Sequence, residues 1–221
     1  MKSPTILKGE APNALTQARS ILEKEELIVF PTDTLYGLAC LPHSEIALAK
    51  IYTAKHRSQA KAIPLLIGAF NQLDDFVQSI PNCARILMDA LWPGKLTLIL
   101  PKKPGLPNLL SPFEGIAVRM PNHPFALELL GKTGPLAVTS ANISDHENHA
   151  DPKEIIQELG EHIQLLINGG VLLETKPSTI VDCTQSTATV LREGAIPSET
   201  IKDILKGNES PLSYQNQKSR I

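Results

Sequence analysis

The run Leu27-Ile28-Val29-Phe30 is apolar at every position, and it limits the possible folds more than any other feature of the chain. A strand with one wet face alternates, so an unbroken apolar run predicts a strand covered on both sides, with helices above and below a sheet. Further strands are expected at residues 63–67, 96–100, 116–120, 135–142, 164–168, 178–183 and 188–192. Between them, apolar residues recur at helical spacing. Residues 13–26 carry Ala14, Ala18, Ile21 and Leu22 behind Asn13 as a helix-capping residue, and residues 44–54 carry Ala47, Leu48, Ile51 and Ala54 behind Ser44. Helices are also expected at residues 71–77, 82–91, 124–130, 152–159 and 198–205, the last three opened by proline.

With 221 residues the chain can form one large domain with a substantial core. A formal charge of −2 with 20% charged residues argues against broad electrostatic capture of nucleic acid, so any anion site must be a local cluster. Cys40, Cys83 and Cys183 fit no zinc or redox spacing, which points to a reduced, cytoplasmic setting. The start of the chain has no apolar signal core, and no run is long enough to cross a bilayer, so no membrane association is expected. Residues 102–115, rich in Pro and Gly, read as a surface loop that could move, and residues 207–221 as a flexible polar tail.

Polar residues interrupt the apolar frame at a few places. Pro31 breaks the first strand into a turn of Thr32, Asp33 and Thr34. Lys55 and Arg57 stand two apart; on an extended segment, which Pro64 and the run after it favour, both would point one way and suit a polyanion. The alternative is a solvated helix end whose cations complement the dipole. Arg119, between Val118 and Met120, must meet a carboxylate, a phosphate or a wet cleft, or else lie at an exposed strand end. Ser140 and Asn142 close an apolar strand, where α/β proteins often seat ligands, although turn formation also explains them. Gly94-Lys95-Leu96-Thr97 lacks the Ser or Thr that a P-loop needs directly after its lysine, and His146 and His149 complete no metal motif.

The stretches Pro31-Thr32-Asp33-Thr34-Leu35-Tyr36-Gly37-Leu38, Lys55-x-Arg57, Pro64-Leu65, Trp92-Pro93-Gly94, Leu96-Thr97 and Val118-Arg119-Met120-Pro121 are followed by Ser140-Ala141-Asn142, Pro177-Ser178-Thr179-Ile180-Val181-Asp182 and Arg192-Glu193-Gly194-Ala195-Ile196. In that order, over residues 27–196, the set closely resembles the YrdC-type L-threonylcarbamoyladenylate synthase family in its single-domain form. The resemblance implies an α/β catalytic domain over residues 1–206, a twisted mixed β-sheet flanked by helices around a concave basic cleft. It implies condensation of L-threonine, bicarbonate and ATP, with Mg²⁺, to threonylcarbamoyl-AMP and pyrophosphate. A separate tRNA-modifying transferase complex would then consume the product.

By the same resemblance, Lys55, Arg57, Ser140 and Asn142 are the catalytic signature and contact ATP, with Lys61, Asn148 and Arg192 as further ATP-binding residues. Thr34, Tyr36, Arg119, Val138 and Ser178 fall to the threonine site. Two positions depart from the pattern: Gly68 stands about where many relatives carry a histidine, and Ser144-Asp145 replaces a frequent Ser-Gly ahead of the loop with His146 and His149. Three anionic reactants repel unless fixed cations offset them, which is a chemical reason for such a set. The sequence shows no recognisable Ser or Cys nucleophile motif, so alignment and electrostatics carry the expected catalysis. Two rival readings are an RNA-binding module, with weak RNA binding by the same cleft, and a divergent paralogue that keeps the nucleotide cleft without synthase activity; near-neutral charge with 4% aromatics counts against RNA binding as the main role.

Overall fold

The structure is a computed structural model that describes residues 3–208 and 212–214. Among them run β1 (Thr5–Lys8), α1 (Ala14–Leu22), β2 (Ile28–Pro31), β3 (Tyr36–Cys40), α2 (Glu45–Ala54), β4 (Leu65–Leu66), α3 (Asn82–Leu91), β5 (Leu96–Pro101) and β6 (Gly115–Arg119). Then come α4 (Pro124–Thr133), β7 (Leu136–Ser140), α5 (Pro152–Leu159), β8 (Leu165–Asn168), β9 (Thr179–Asp182), β10 (Ala188–Arg192), α6 (Ser198–Lys206) and β11 (Leu212–Tyr214). All described strands join one mixed sheet in the order β1-β8-β2-β3-β7-β4-β6-β5-β9-β10-β11. No described helix is long and apolar enough to cross a membrane.

The apolar run at β2 is covered on both faces, as its lack of alternation requires. Ile28 and Phe30 pack with Ala14, Ala18 and Leu22 of α1 and with Phe125 and Leu129 of α4, while Val29 joins the larger core on the other side. That larger core takes its helical share from α2, α3, α5 and α6. Ser44 starts α2 as expected, its hydroxyl accepting the Ala47 N–H at 3.0 Å. Asn13 precedes α1 but its side chain makes no cap bond, and the helix stops at Leu22 because Glu25 takes φ 60, which a right-handed helix cannot continue.

Other expectations need correction. Residues 36–40, which carry no strand alternation, form β3, so β2 turns back at Thr32 into a hairpin rather than leading to a helix. The strand expected at residues 63–67 is ladder-paired only at Leu65–Leu66. Residues 102–115 lie largely at the surface as expected but are anchored at one point: Leu110 and Ser111 are fully buried, and the Leu109 carbonyl accepts from Tyr52 Oη at 2.7 Å. Of the expected tail, Leu212–Tyr214 form a strand parallel to β10; residues 209–211 and 215–221 lie outside the described residues.

The helices leave part of one sheet face open. Leu66 of β4 and Val138 of β7 belong to the cluster under α1 and α4, and both also line a hollow beyond those helices. The two helices, in contact with each other, sit over β2 and β8, so the same face continues past them toward β6, β5 and β9.

Candidate active site

On that face lies a cavity of about 220 Å³. The β2–β3 turn brings Thr32, Thr34, Leu35, Tyr36 and Gly37 to it; β4 and its approach bring Pro64 and Leu66; β7 brings Val138, Thr139 and Ser140. Thr97, Arg119, Pro177, Ser178, Ile180 and Arg192 form the opposite wall, with Arg57 and Asn148 at further points. A second hollow of about 570 Å³ lies along the same face, since its lining residues Ile99, Ala117 and Asp182 stand two residues from Thr97, Arg119 and Ile180 on β5, β6 and β9.

Arg119, buried at the end of β6, is held from three sides. Its Nε donates to the Gly94 carbonyl at 2.9 Å, Nη1 to Thr34 Oγ1 at 2.6 Å, and Nη2 to Asp33 Oδ1. Burial lowers its pKa and Asp33 opposes that, so the guanidinium stays charged. Five N–H donors less three used leaves one on each terminal nitrogen for a ligand. Asp33 Oδ2, also buried, has no partner, so the pair leaves an acceptor as well as two donors unspent.

Lys55 is 1% exposed and does not line the cavity. It caps the C-terminus of α2 in a right-handed helical conformation, and His56 then takes φ 48, which corrects the extended reading of Lys55 and Arg57. Nζ donates to the Ser140 carbonyl at 2.5 Å and to the carbonyl and Oδ1 of Asn142, so it fixes the end of β7. Burial first, and then the neighbouring Arg57 charge, pushes Lys55 down to about 7. Between that value and 10.5 the unfolded chain binds more protons at this site, so the group's contribution to stability rises with pH. The unfolding free energies of wild type and Lys55→Met should therefore diverge in favour of wild type from pH ~7 to ~10. A flat difference in urea titrations across that range would contradict it.

Arg57 does reach the cavity. Its Nη2 donates to the Ala62 carbonyl at 2.8 Å, while the buried Nε has no acceptor. Such an orphan donor is costly unless something fills it.

Opposite, Ser178 is fixed from both sides. Its hydroxyl shares a 2.7 Å hydrogen bond with Thr97 Oγ1, and its carbonyl accepts from Arg192 Nη2 at 2.9 Å and Nε at 3.3 Å. Gly194 allows this, because a Cβ there would lie 2.3 Å from the Pro177 carbonyl and 2.5 Å from that of Ser178. Those are backbone atoms that cannot swing aside. Gly194→Ala should thus cost about 1–3 kcal/mol in urea unfolding and displace the Ser178 wall; unchanged stability would contradict the close fit.

Tyr36 Oη donates to the Gly170 carbonyl at 2.6 Å and accepts the Gly169 N–H at 3.0 Å, tying the cavity to the segment after β8. Glu158 of α5 holds the loop after β7: it accepts the Ile143 N–H at 2.8 Å and contacts His149 at 2.8 Å and His146 at 3.1 Å. Burial raises the Glu158 pKa, but those partners outweigh it and keep the carboxyl below its usual range. Both histidines are thereby accounted for.

Of the residues singled out from sequence, the cavity gathers Thr34, Tyr36, Arg57, Arg119, Val138, Ser140, Asn148, Ser178 and Arg192. Lys55 and Asn142 stand behind it, Asn142 buried and donating to the His146 carbonyl, and Lys61 is paired with Asp145 to one side. Gly68 packs against α4, where a Cβ would meet Leu130 Cβ at 3.0 Å, rather than on the cavity wall. Missed as site residues were Asp33, which holds Arg119, and Thr97, whose polar side chain within Leu96-Thr97-Leu98 was the available signal.

Helices over part of one sheet face, and three arginines with several hydroxyls around a hollow on the rest of it, define an α/β protein with an arginine-lined cavity on its sheet. Residues 20–194 match the Sua5/YciO/YrdC family model, described as telomere recombination, and the chain belongs to that family. It is 36% identical over 192 residues to a Mycobacterium tuberculosis protein provisionally described as a threonylcarbamoyl-AMP synthase, covering 86% of this chain and 88% of that one. It is 35% identical to the threonylcarbamoyl-AMP synthase of Bacillus subtilis, covering 92% of this chain but 60% of the relative. Among solved structures, Pyrococcus abyssi Sua5 complexed with L-threonine superposes with a TM-score of 0.87 at 30% identity, over 96% of this chain and 62% of that one. Escherichia coli YciO gives 0.80 at 29% identity, over 91% of this chain and 100% of that one.

Proposed function

We propose that the protein is an L-threonylcarbamoyladenylate synthase, a nucleotidyltransferase joining L-threonine, bicarbonate and ATP. One observation carries this: a single cavity sets Arg57, with its unfilled buried donor, beside Thr34, Ser178 and Arg119, whose fork has two donors to spare. The spare donors suit an amino-acid carboxylate, and the Thr34 and Ser178 hydroxyls suit its side-chain hydroxyl. A volume of about 220 Å³ holds the amino acid and the reacting phosphate, and the adjoining hollow of about 570 Å³ gives room for the nucleoside. The names of the curated relatives and the threonine bound to the Pyrococcus abyssi structure support the reading.

In the reaction, the free amine of threonine takes up bicarbonate as a carbamate with loss of water. A carbamate oxygen then attacks the α-phosphorus, and pyrophosphate leaves. Arg57 and Arg192 offset phosphate charge while Arg119 holds the amino acid, so the cavity works as a basic cleft. Lys55 acts by fixing the turn that presents Ser140. The cavity wall carries no carboxylate, and no three His, Cys, Asp or Glu side chains gather among the described residues to hold an ion. Mg²⁺ therefore belongs with the triphosphate, and Mg-ATP is the substrate. A transferase acting on tRNA in the cytoplasm would consume the product.

Incubating the protein with Mg-ATP, bicarbonate and threonine should yield the threonylcarbamoyl adenylate by mass spectrometry, with omission of any one substrate abolishing it. Absence of the adenylate in the complete mixture would overturn the proposal.

A further inference from the structure

Asp145 has φ 67, a conformation that favours glycine and that aspartate tolerates better than most residues. Its carboxylate meets Lys61 Nζ with both oxygens, at 2.7 and 3.0 Å, although its side chain is 79% exposed. The loop behind it is fixed: the Ser144 N–H donates to the Lys55 carbonyl at 2.8 Å, Asn142 Nδ2 to the His146 carbonyl at 2.9 Å, and Glu158 takes the Ile143 N–H and both histidines. The same loop puts Asn148 on the cavity wall. The hydrogen bond from Lys61, then its charge, and more weakly those of Arg57 and Lys55, hold the Asp145 carboxyl below the usual range. An anion on a fixed loop thus lies against Lys61 at the side of the cavity, within electrostatic reach of Arg57 on its wall.

We propose that Asp145 sets the affinity for the nucleotide: its carboxylate occupies Lys61 where a substrate phosphate would bind, so binding exchanges one anion for the other. The proposal rests on the reading of the cavity as an ATP site. An exposed ion pair is weak in water, so the exchange is easy and the effect is graded rather than all-or-none. Removing the carboxylate frees Lys61 for phosphate; salt, which screens exposed pairs, reduces the gain.

The test is calorimetric titration of wild type, Asp145→Gly, Asp145→Asn, Lys61→Met and Lys61→Met/Asp145→Gly with ATP and, separately, with inorganic pyrophosphate. Both single Asp145 variants should bind about two- to fivefold more tightly than wild type, and the gain should vanish when Lys61 is absent. Equal or weaker binding by Asp145→Gly and Asp145→Asn, or a gain that persists without Lys61, overturns the competition. If none of the proteins binds ATP or pyrophosphate, the nucleotide reading itself fails, and the proposal with it.

Discussion

Arg57→Ala is expected to lower kcat/KM for threonine-dependent pyrophosphate release by about 10²–10³-fold while the protein stays folded. The side chain makes one bond to the fold, from Nη2 to the Ala62 carbonyl, and its Nε is an unpaired buried donor, so truncation removes as much desolvation cost as structure. Its main work is left to a ligand. A guanidinium aimed at developing phosphate charge in a partly dry cavity is worth far more than the same group in water. Unchanged turnover in a folded variant would remove Arg57 from the proposed phosphate site.

Arg119→Ala should behave differently, because this arginine serves the fold as well as the ligand. Its side chain is 7% exposed and that of Asp33 11%, so removing the cation strands a buried carboxylate whose second oxygen already lacks a partner. Breaking such a pair costs about 3–5 kcal/mol, enough to lower the unfolding temperature by many degrees. Asp33→Asn in the Arg119→Ala background should recover much of that loss, since a neutral amide is cheaper to bury. Arg119→Lys keeps a charge without the planar fork, and its KM for threonine should rise about tenfold or more with a smaller change for ATP. An effect on ATP alone would contradict the placement of the amino acid, and full stability of Arg119→Ala would contradict the burial argument.

Both the strand at 27–30, buried on two faces, and the half-buried strand at 188–192 were legible as apolar runs. Residues 188–192 form β10 over the expected range, and the run at 27–30 is β2 shifted by one residue. β3 was not legible, because Tyr36-Gly37-Leu38-Ala39-Cys40 takes its strand form from neighbours β2 and β7 and not from any alternation of its own. The cations were legible as residue types, but their division of labour was not. That Lys55 turns inward to carbonyls at Ser140 and Asn142 depends on contacts more than eighty residues apart, and only the assembled sheet creates them. The loop at residues 102–115 has the composition of a mobile connection, yet Leu110 fills the core and overrides it. Asp145 alone suggested a lost glycine; its meaning came from the position of Lys61.

A crystal of the protein grown with L-threonine and a non-hydrolysable ATP analogue examines most directly whether one hollow seats both partners of the reaction. The amino-acid carboxylate is expected within hydrogen-bonding reach of Arg119, its hydroxyl between Thr34 and Ser178, and the α-phosphate beside Arg57. Density for either ligand away from these side chains, with the hollow left to solvent, would contradict a shared site.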